Sequence, residues 1–374
     1  MPPVAKPTAV CVFAACLLLP PVGVRLTGRA LAPLLHFPPP LAIPVDYPRF
    51  SWIAVGLVLG MGGLIVWPWL RRKSPSPRRF DVPCPTFARL FPWWGWLAIA
   101  WTLLWWWLAW TRQPWLAWAQ RYTFTPLWLG LIVTMNALAG GRGGTCLMQR
   151  APGRWLALFS ASAAFWWVFE WLNRFVRNWH YLGVEGVGAF EYALHSSVCF
   201  STVLPAVAGV REWLGTRPRL QAWLSEGPRW SWMVRRGAGA GMIAAGLAGL
   251  VLTGVRPLCF YPALWAAPLL IGVGWSVLRR EAGWWSEMAA GDWRSAGSWA
   301  FAALGCGFFW ELWNLHSLAK WVYTVPFVQR WQVFEMPLLG YTGYLPFGLE
   351  CGLVAVWVLG REEAVEGRRS ARLT

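Results

Sequence analysis

Three observations predict an all-α polytopic membrane helix bundle of about ten spans. Hydrophobic residues make up 57% of the 374-residue chain and charged residues only 13%, against roughly a quarter charged in soluble domains. Apolar runs close to the ~20 residues that cross a bilayer core recur along the chain. The basic residues behind the net charge of +17 gather between those runs, where positive charge kept on the cytoplasmic side accounts for them. No basic stretch is long enough for a nucleic-acid arm. Membrane lipids, and not nucleic acid, are therefore the expected partners.

The first span, 9–24, follows Lys6 and is interrupted by Pro20-Pro21. A cleaved signal peptide is the alternative, but no small-x-small cleavage site follows it. The Pro-rich stretch from Leu31 to Pro44 reads as a surface or re-entrant segment. Spans 51–70 and 93–111 come next. Tryptophan-rich turns between Arg112 and Arg121 then suit an interfacial helix. Runs at 122–140, 155–173, 189–210, 236–254, 257–278, 296–315 and 338–360 complete the ten. With the loop Arg71–Arg89 placed inside and the spans alternating, 23 Lys/Arg fall inside and 10 outside. That split obeys the positive-inside rule and puts both termini in the cytoplasm.

A motif occurs twice. Glu170-Trp171-Leu172-Asn173 is followed by Trp179-His180-Tyr181 and then Phe190-Glu191 with Leu194. Glu311-Leu312-Trp313-Asn314 is followed by Trp321-Val322-Tyr323 and then Phe334-Glu335 with Leu338. Upstream, Trp128 lies 42 residues before Glu170, and Trp265 lies 46 before Glu311. The chain thus divides into two N-terminal spans with a basic cytoplasmic loop (1–92), repeat 1 (93–211), a cytoplasmic linker (212–236), repeat 2 (237–360) and a charged cytoplasmic tail (361–374). Four spans per repeat give both copies one orientation, so their pseudo-twofold axis should follow the membrane normal.

The acids carry the chemistry. Glu170 and Asn173 share a helix face, as do Glu311 and Asn314, each near the outer end of its span. An ionisable group there is a functional candidate. An ion pair of Glu170 with Arg174 is the structural alternative, and Leu315 denies that explanation to Glu311. Glu191 and Glu335 open the following spans. Each either caps a helix or joins Glu170 and Glu311 in a carboxylate-rich mouth whose members raise one another's pKa. Glu350 lies deep in the last span, with no cation near it in sequence. Such an acid must be protonated, paired or facing water. Gly340, Gly343, Pro346 and Gly348 suggest a broken helix beside it.

Trp179, Tyr181, Trp321 and Tyr323, with Asn173, Asn314, His195 and His316, are the candidate substrate-binding groups around these acids. Hydrogen-bonded structural histidines are the alternative to ligands. The 34 tryptophans form interfacial belts or wall a cavity that stabilises a cation or stacks on a polyene. The eight cysteines include no Cys-x-x-Cys pair and read as small buried residues. No metal site is expected. No phosphate loop, zinc-protease, serine-hydrolase or dinucleotide motif is present, so no cofactor is assigned.

The stretches Phe-Thr-Pro-Leu-Trp-Leu-Gly from Phe124, Phe-Glu-Trp-Leu-Asn-Arg-Phe from Phe169 and Phe-Glu-Met-Pro-Leu-Leu-Gly-Tyr from Phe334 resemble a group of uncharacterised bacterial polytopic membrane proteins. That implies the bacterial inner (cytoplasmic) membrane but no activity. Trp-x-Tyr followed about ten residues later by a span-opening Glu is similar to tandem membrane-type lycopene cyclase domains. That resemblance implies that Glu191 and Glu335 protonate a polyene. The repeats here have four spans rather than three, and the doubled Pro-x-Glu-Glu of those domains is absent.

Two functions compete. One is a membrane enzyme or binder using an outward-facing carboxylate and aromatic site on a lipid or isoprenoid. The other is a proton-coupled transporter or channel with its path at the repeat interface. A structural subunit of a larger membrane complex is a third.

Overall fold

The computed structural model describes residues 5–39, 48–71 and 91–361. Most of the basic loop from Arg71 to Arg89, of the charged tail, and of the Pro-rich stretch beyond Pro39 lies outside them. The helices are α1 (Ala5–Leu26), α2 (Ala32–Leu35), α3 (Trp52–Leu70), α4 (Trp93–Trp110), α5 (Phe124–Gly143), α6 (Leu147–Arg150), α7 (Pro152–Val176), α8 (Ala189–Phe200) and α9 (Val203–Gly215). They continue as α10 (Pro218–Leu224), α11 (Arg236–Val255), α12 (Pro257–Phe260), α13 (Ala263–Leu278), α14 (Trp284–Ala290), α15 (Arg294–Asn314) and α16 (Tyr344–Leu359). Four short strands break the all-α pattern: β1 (Trp179–Leu182), β2 (Lys320–Tyr323), β3 (Gln332–Val333) and β4 (Met336–Pro337).

Every apolar run in the sequence is helical. Among the described residues, seven helical stretches are long and apolar enough to cross a membrane, which makes this a multi-pass membrane protein. Of the ten expected spans, those in α4, α13 and α15 fall outside that seven, α4 being the most Trp-rich. Eight of its 18 residues are tryptophan, whose amphipathic ring suits the interface as well as the core. The turns after Arg112 form a 3₁₀ helix, Pro114–Tyr122, that exposes Trp115 and Trp118 and buries Ala119 and Gln120. That is the amphipathic segment the sequence predicts.

Two expectations about helix continuity are corrected. The Pro20-Pro21 pair does not interrupt α1, which runs through both. Close packing holds it there. A Cβ on Gly23 would strike the Val251 carbonyl of α11, and a Cβ on Gly254 would strike the Pro20 carbonyl of α1. Glycines let the two backbones touch, and the Arg29 guanidinium donates to the Gly254 carbonyl. Nor is the last helix broken around Glu350. The irregular turn comes earlier, at Leu338–Gly343. Pro346 sits in the first turn of α16, where its missing N–H costs nothing. Gly348 meets the Trp299 backbone of α15.

The run 189–210 does break, between α8 and α9. Pro205 lacks the N–H that would bond the Ser201 carbonyl. Ser162 of α7 repairs the gap: its hydroxyl donates to the Phe200 carbonyl at 2.6 Å and accepts from the Leu204 N–H at 3.0 Å.

The helix contacts come in matched pairs. α4 packs on α5 as α11 does on α13. α5 packs on α9 as α13 does on α16, and α7 on α9 as α15 on α16. Across the centre, α9 meets α15 and α16 meets α7. The aromatic contacts are reciprocal too. Trp128 lies against Trp310, the residue before Glu311, at 4.9 Å between ring centroids. Trp265 stacks on Phe169, the residue before Glu170, at 5.1 Å. Helix α1 lies outside this arrangement, against α11, α13 and α7.

Helix α3 stands apart. Only Val55 of its 19 residues is buried. It is fixed at its ends. The Ser51 N–H donates to the Phe327 carbonyl at 2.9 Å, and Trp331 packs on Phe50 and Trp52. At the other end, Trp69 stacks on Trp223 at 4.4 Å and meets Trp293 edge-on.

Replacing Ser162 with Ala leaves the Phe200 carbonyl and Leu204 N–H without their partner. Such a loss costs about 1–3 kcal/mol. Thermal unfolding in detergent is expected to show a lower midpoint for Ser162→Ala; an unchanged midpoint would mean the break between α8 and α9 needs no bridge.

Candidate functional site

The two Trp-x-Tyr segments pair with each other. Strands β1 and β2 run antiparallel, with Trp179 opposite Tyr323, His180 opposite Val322, and Tyr181 opposite Trp321. The first aromatic of each motif therefore faces the last aromatic of the other. The motif's Asn residues dock the strands. Asn173 Nδ2 donates to the Trp179 carbonyl at 2.8 Å, and its Oδ1 accepts from the Asn178 N–H at 2.7 Å. Asn314 brackets the Trp321 backbone in the same way, at 2.7 and 2.8 Å. Both amides are thus occupied by backbone, and here Asn173 and Asn314 hold the ribbon.

The ribbon brings donors to two buried carboxylates. Glu170 Oε1 accepts from Tyr181 Oη at 2.5 Å and from the indoles of Trp166 and Trp179, each at 3.0 Å. Glu311 Oε1 accepts from the hydroxyls of Tyr323 and Tyr344, each at 2.7 Å, and Trp321 donates to Tyr323 Oη at 2.8 Å. The copies differ four residues upstream. Trp166 supplies a donor to Glu170, whereas Gly307 leaves the space that the Tyr344 ring fills beside Glu311. Burial first, then the nearby carboxylates, pushes the Tyr181 and Tyr323 phenols well above their ordinary pKa, so both remain donors. Arg174 does not pair with Glu170. Its guanidinium donates to the carbonyls of Leu34 and His36.

The four motif acids have separate donors. Glu191 accepts from Tyr122 Oη at 2.9 Å, and Glu335 is ion-paired with Lys320. Glu335 and Glu311 still act on each other as like charges. Glu350 is 2% exposed and faces the bundle interior. Its Oε1 accepts the Leu269 N–H at 3.2 Å, beside Pro268 in α13. It borders a small apolar space of about 20 Å³ with Cys16, Phe165 and Phe169. His316 is also separate: it lies edge-on to Trp110, and its carbonyl accepts from Arg112.

A large cavity of about 920 Å³ lies between α3 and the bundle. At the end carrying the ribbon, its lining includes Trp179, Tyr181, Trp321 and Tyr323, with Glu191, His195, Arg121, Tyr122 and Lys320. At the far end it reaches Trp69, Trp223, Trp230 and Trp293. Its walls between are almost wholly apolar, as in Met61, Ile65, Val203, Phe301 and Phe347. A second space, of about 50 Å³, lies on the other side of Glu170, with Arg174, Arg177, His180 and Pro33 in its walls. Among the described residues, no three His, Cys, Asp or Glu side chains converge to hold a metal ion.

Trp166, Tyr344, Tyr192, Tyr122, Lys320 and Arg121 join the site without having been singled out from sequence. Trp166 was readable, one helical turn before Glu170. Tyr344 reaches Glu311 across 33 residues, and no local spacing signals that.

His180 gives a pH prediction. Its Nε2 lies 3.1 Å from the Arg177 carbonyl and 3.0 Å from Thr324 Oγ1, and burial lowers its pKa below the ordinary 6.5. The neutral ring is favoured in the folded state. Its contribution is present above pH 6.5 and is lost as pH falls through the lowered value. The melting temperature of the wild type is expected to drop more steeply than that of His180→Gln below pH 6.5. Parallel profiles would remove His180 as a cause. Separately, Asn173→Ala and Asn314→Ala are each expected to cost about 1–3 kcal/mol by leaving buried backbone groups unpaired, read as a lower melting midpoint; a surface-like loss of a few tenths would contradict the docking role.

No protein-family model, curated protein or solved structure matches the chain.

Proposed function

We propose that this protein binds and acts on a long-chain lipid or isoprenoid, held in the cavity between α3 and the bundle. The observation that carries this reading is the shape and lining of that cavity. Its volume is at the upper end of the roughly 300–1,000 Å³ typical of ligand sites. It takes in α3 from Val58 to Leu70, a rise of about 18 Å, more than half of a ~30 Å bilayer core. Apolar walls suit a tail along that length. The polar groups gather at the ribbon end, where Arg121, Lys320, Glu191 and His195 can meet a head group. Aromatic rings from both motif copies line the same end, and the Tyr181 hydroxyl bound to Glu170 is the acid–base candidate there.

The proposal includes ten spans, with repeats at 93–211 and 237–360 related by a twofold axis along the membrane normal. The reciprocal register of β1 and β2 and the reciprocal Trp128–Trp310 and Trp265–Phe169 contacts support the duplication, because a twofold relation exchanges such pairs. The 23-to-10 basic split supports cytoplasmic termini in a bacterial inner membrane. A proton-coupled path at the repeat interface has less support. Packed rings from both halves meet at that interface, and Glu350 borders a small apolar space.

Ala300 lines the cavity, and a tryptophan there would fill part of it. The wild type, extracted into nanodiscs and delipidated in organic solvent, is expected to yield a stoichiometric long-chain lipid. Ala300→Trp should retain about tenfold less, a loss of roughly 1.4 kcal/mol of binding. Equal retention by a folded variant would contradict the site.

A further inference from the structure

The two buried Glu–Tyr pairs resemble each other in bonding but not in their access to water. Glu170 borders the 50 Å³ space, which has polar walls from Asn173, Arg174, Arg177 and His180. Pro33 and Arg177, both exposed, stand at its edge. That volume holds on the order of three waters, and its polar walls offer the partners that water needs. Glu311 is 0% exposed and borders neither this space nor the large cavity, and its Oε2 has no hydrogen-bond partner. Trp179, Tyr181 and Tyr192 line both the polar space and the large apolar cavity. The Glu170–Tyr181 pair therefore stands in the partition between a water-sized polar space and an apolar one.

We infer that Glu170, and not Glu311, is the carboxyl that exchanges protons with the aqueous phase, through the space bounded by Pro33 and Arg177. The groups facing it are Arg174 and Arg177 from the end of α7, His180 and Tyr181 from β1, and Tyr192 from α8. When Glu170 is ionised, Tyr181 donates to it, as in the structure. When water delivers a proton to Glu170, the carboxyl itself can donate, and the Tyr181 hydroxyl is released toward the large cavity. One proton is taken up and no bond to carbon is formed or broken. The second pair lacks that access and serves to hold β2, α15 and α16 together. The inference does not depend on what occupies the large cavity.

Infrared spectroscopy of the full chain in nanodiscs tests this. The carbonyl band of a protonated carboxyl shifts when its proton is replaced by deuterium. Spectra would be followed across pH and after transfer to D₂O, with Glu170→Gln and Glu311→Gln assigning the bands. A band lost in Glu170→Gln is expected to exchange at least about tenfold faster than one lost in Glu311→Gln, since exchange at a closed site waits for local opening. Pro33→Trp, which crowds the edge of the polar space, should slow the Glu170 band alone. Tyr181→Phe should leave it fast, because access does not run through the large cavity. The inference falls if Glu170 exchanges as slowly as Glu311, or if no Glu170 band appears at any pH. It also falls if Pro33→Trp has no effect, or if Tyr181→Phe abolishes the fast exchange. Should either Gln variant fail to fold, isotope-edited spectra of Glu170→Asp and Glu311→Asp carry the same comparison.

Discussion

The antiparallel pairing of β1 with β2 is the contact on which the rest of the site depends. Chain leaving a helix among buried side chains carries backbone donors and acceptors that need partners. Here the segments after Asn173 and Asn314 satisfy one another. The register then fixes four aromatic side chains at once, because Trp179 opposes Tyr323 and Tyr181 opposes Trp321. Those side chains turn their hydroxyls and indoles to Glu170 and Glu311. A buried carboxyl group without such donors is costly, and a hydrogen bond to a charged group is worth about 1.5–3 kcal/mol. The ribbon and the carboxyls therefore stabilise each other, and neither half of the chain can complete the arrangement alone.

The same arrangement leaves a space. The bundle is filled at its centre by rings such as Trp128, Trp310, Phe169 and Trp265. Helix α3 stands outside that packing and is held at its ends, by Phe327 and Trp331 on one side and Trp223 and Trp293 on the other. Between them lies an apolar slot lined by α3 from Val58 to Leu70. The wall at its polar end is made of the same tyrosines that the buried carboxyls hold. Packing, electrostatics and the proposed lipid site thus meet at Tyr181 and Tyr323.

The sequence made the helices largely legible because hydrophobic length marks them: each of the ten runs is mostly helical, though 189–210 and 257–278 each break into two helices and 338–360 opens with a 3₁₀ turn. It also marked Glu170, Asn173, Trp179 and Tyr181 and their second copies, since repetition of a spacing needs no structure to be seen. The roles were harder to read. That Asn173 and Asn314 bind backbone follows from the strand after each helix, a pairing between residues more than 130 positions apart that spacing does not announce. Nor does spacing announce the ion pair of Glu335 with Lys320. The Pro20-Pro21 pair looked like a break because Gly23 of α1 and Gly254 of α11, where the two helices touch, lie more than 200 residues apart. Tyr344 and the α3 cavity depend on contacts between distant segments, and local periodicity carries no trace of them.

The most direct measurement of the central claim is a cryo-electron microscopy map of the protein purified in lipid nanodiscs. The account predicts elongated density between α3 and the bundle, running along Met61 and Ile65 and ending in a head group near Tyr122 and Lys320. An α3 packed directly on the bundle, or a water-filled path through the repeat interface in place of that density, would contradict it.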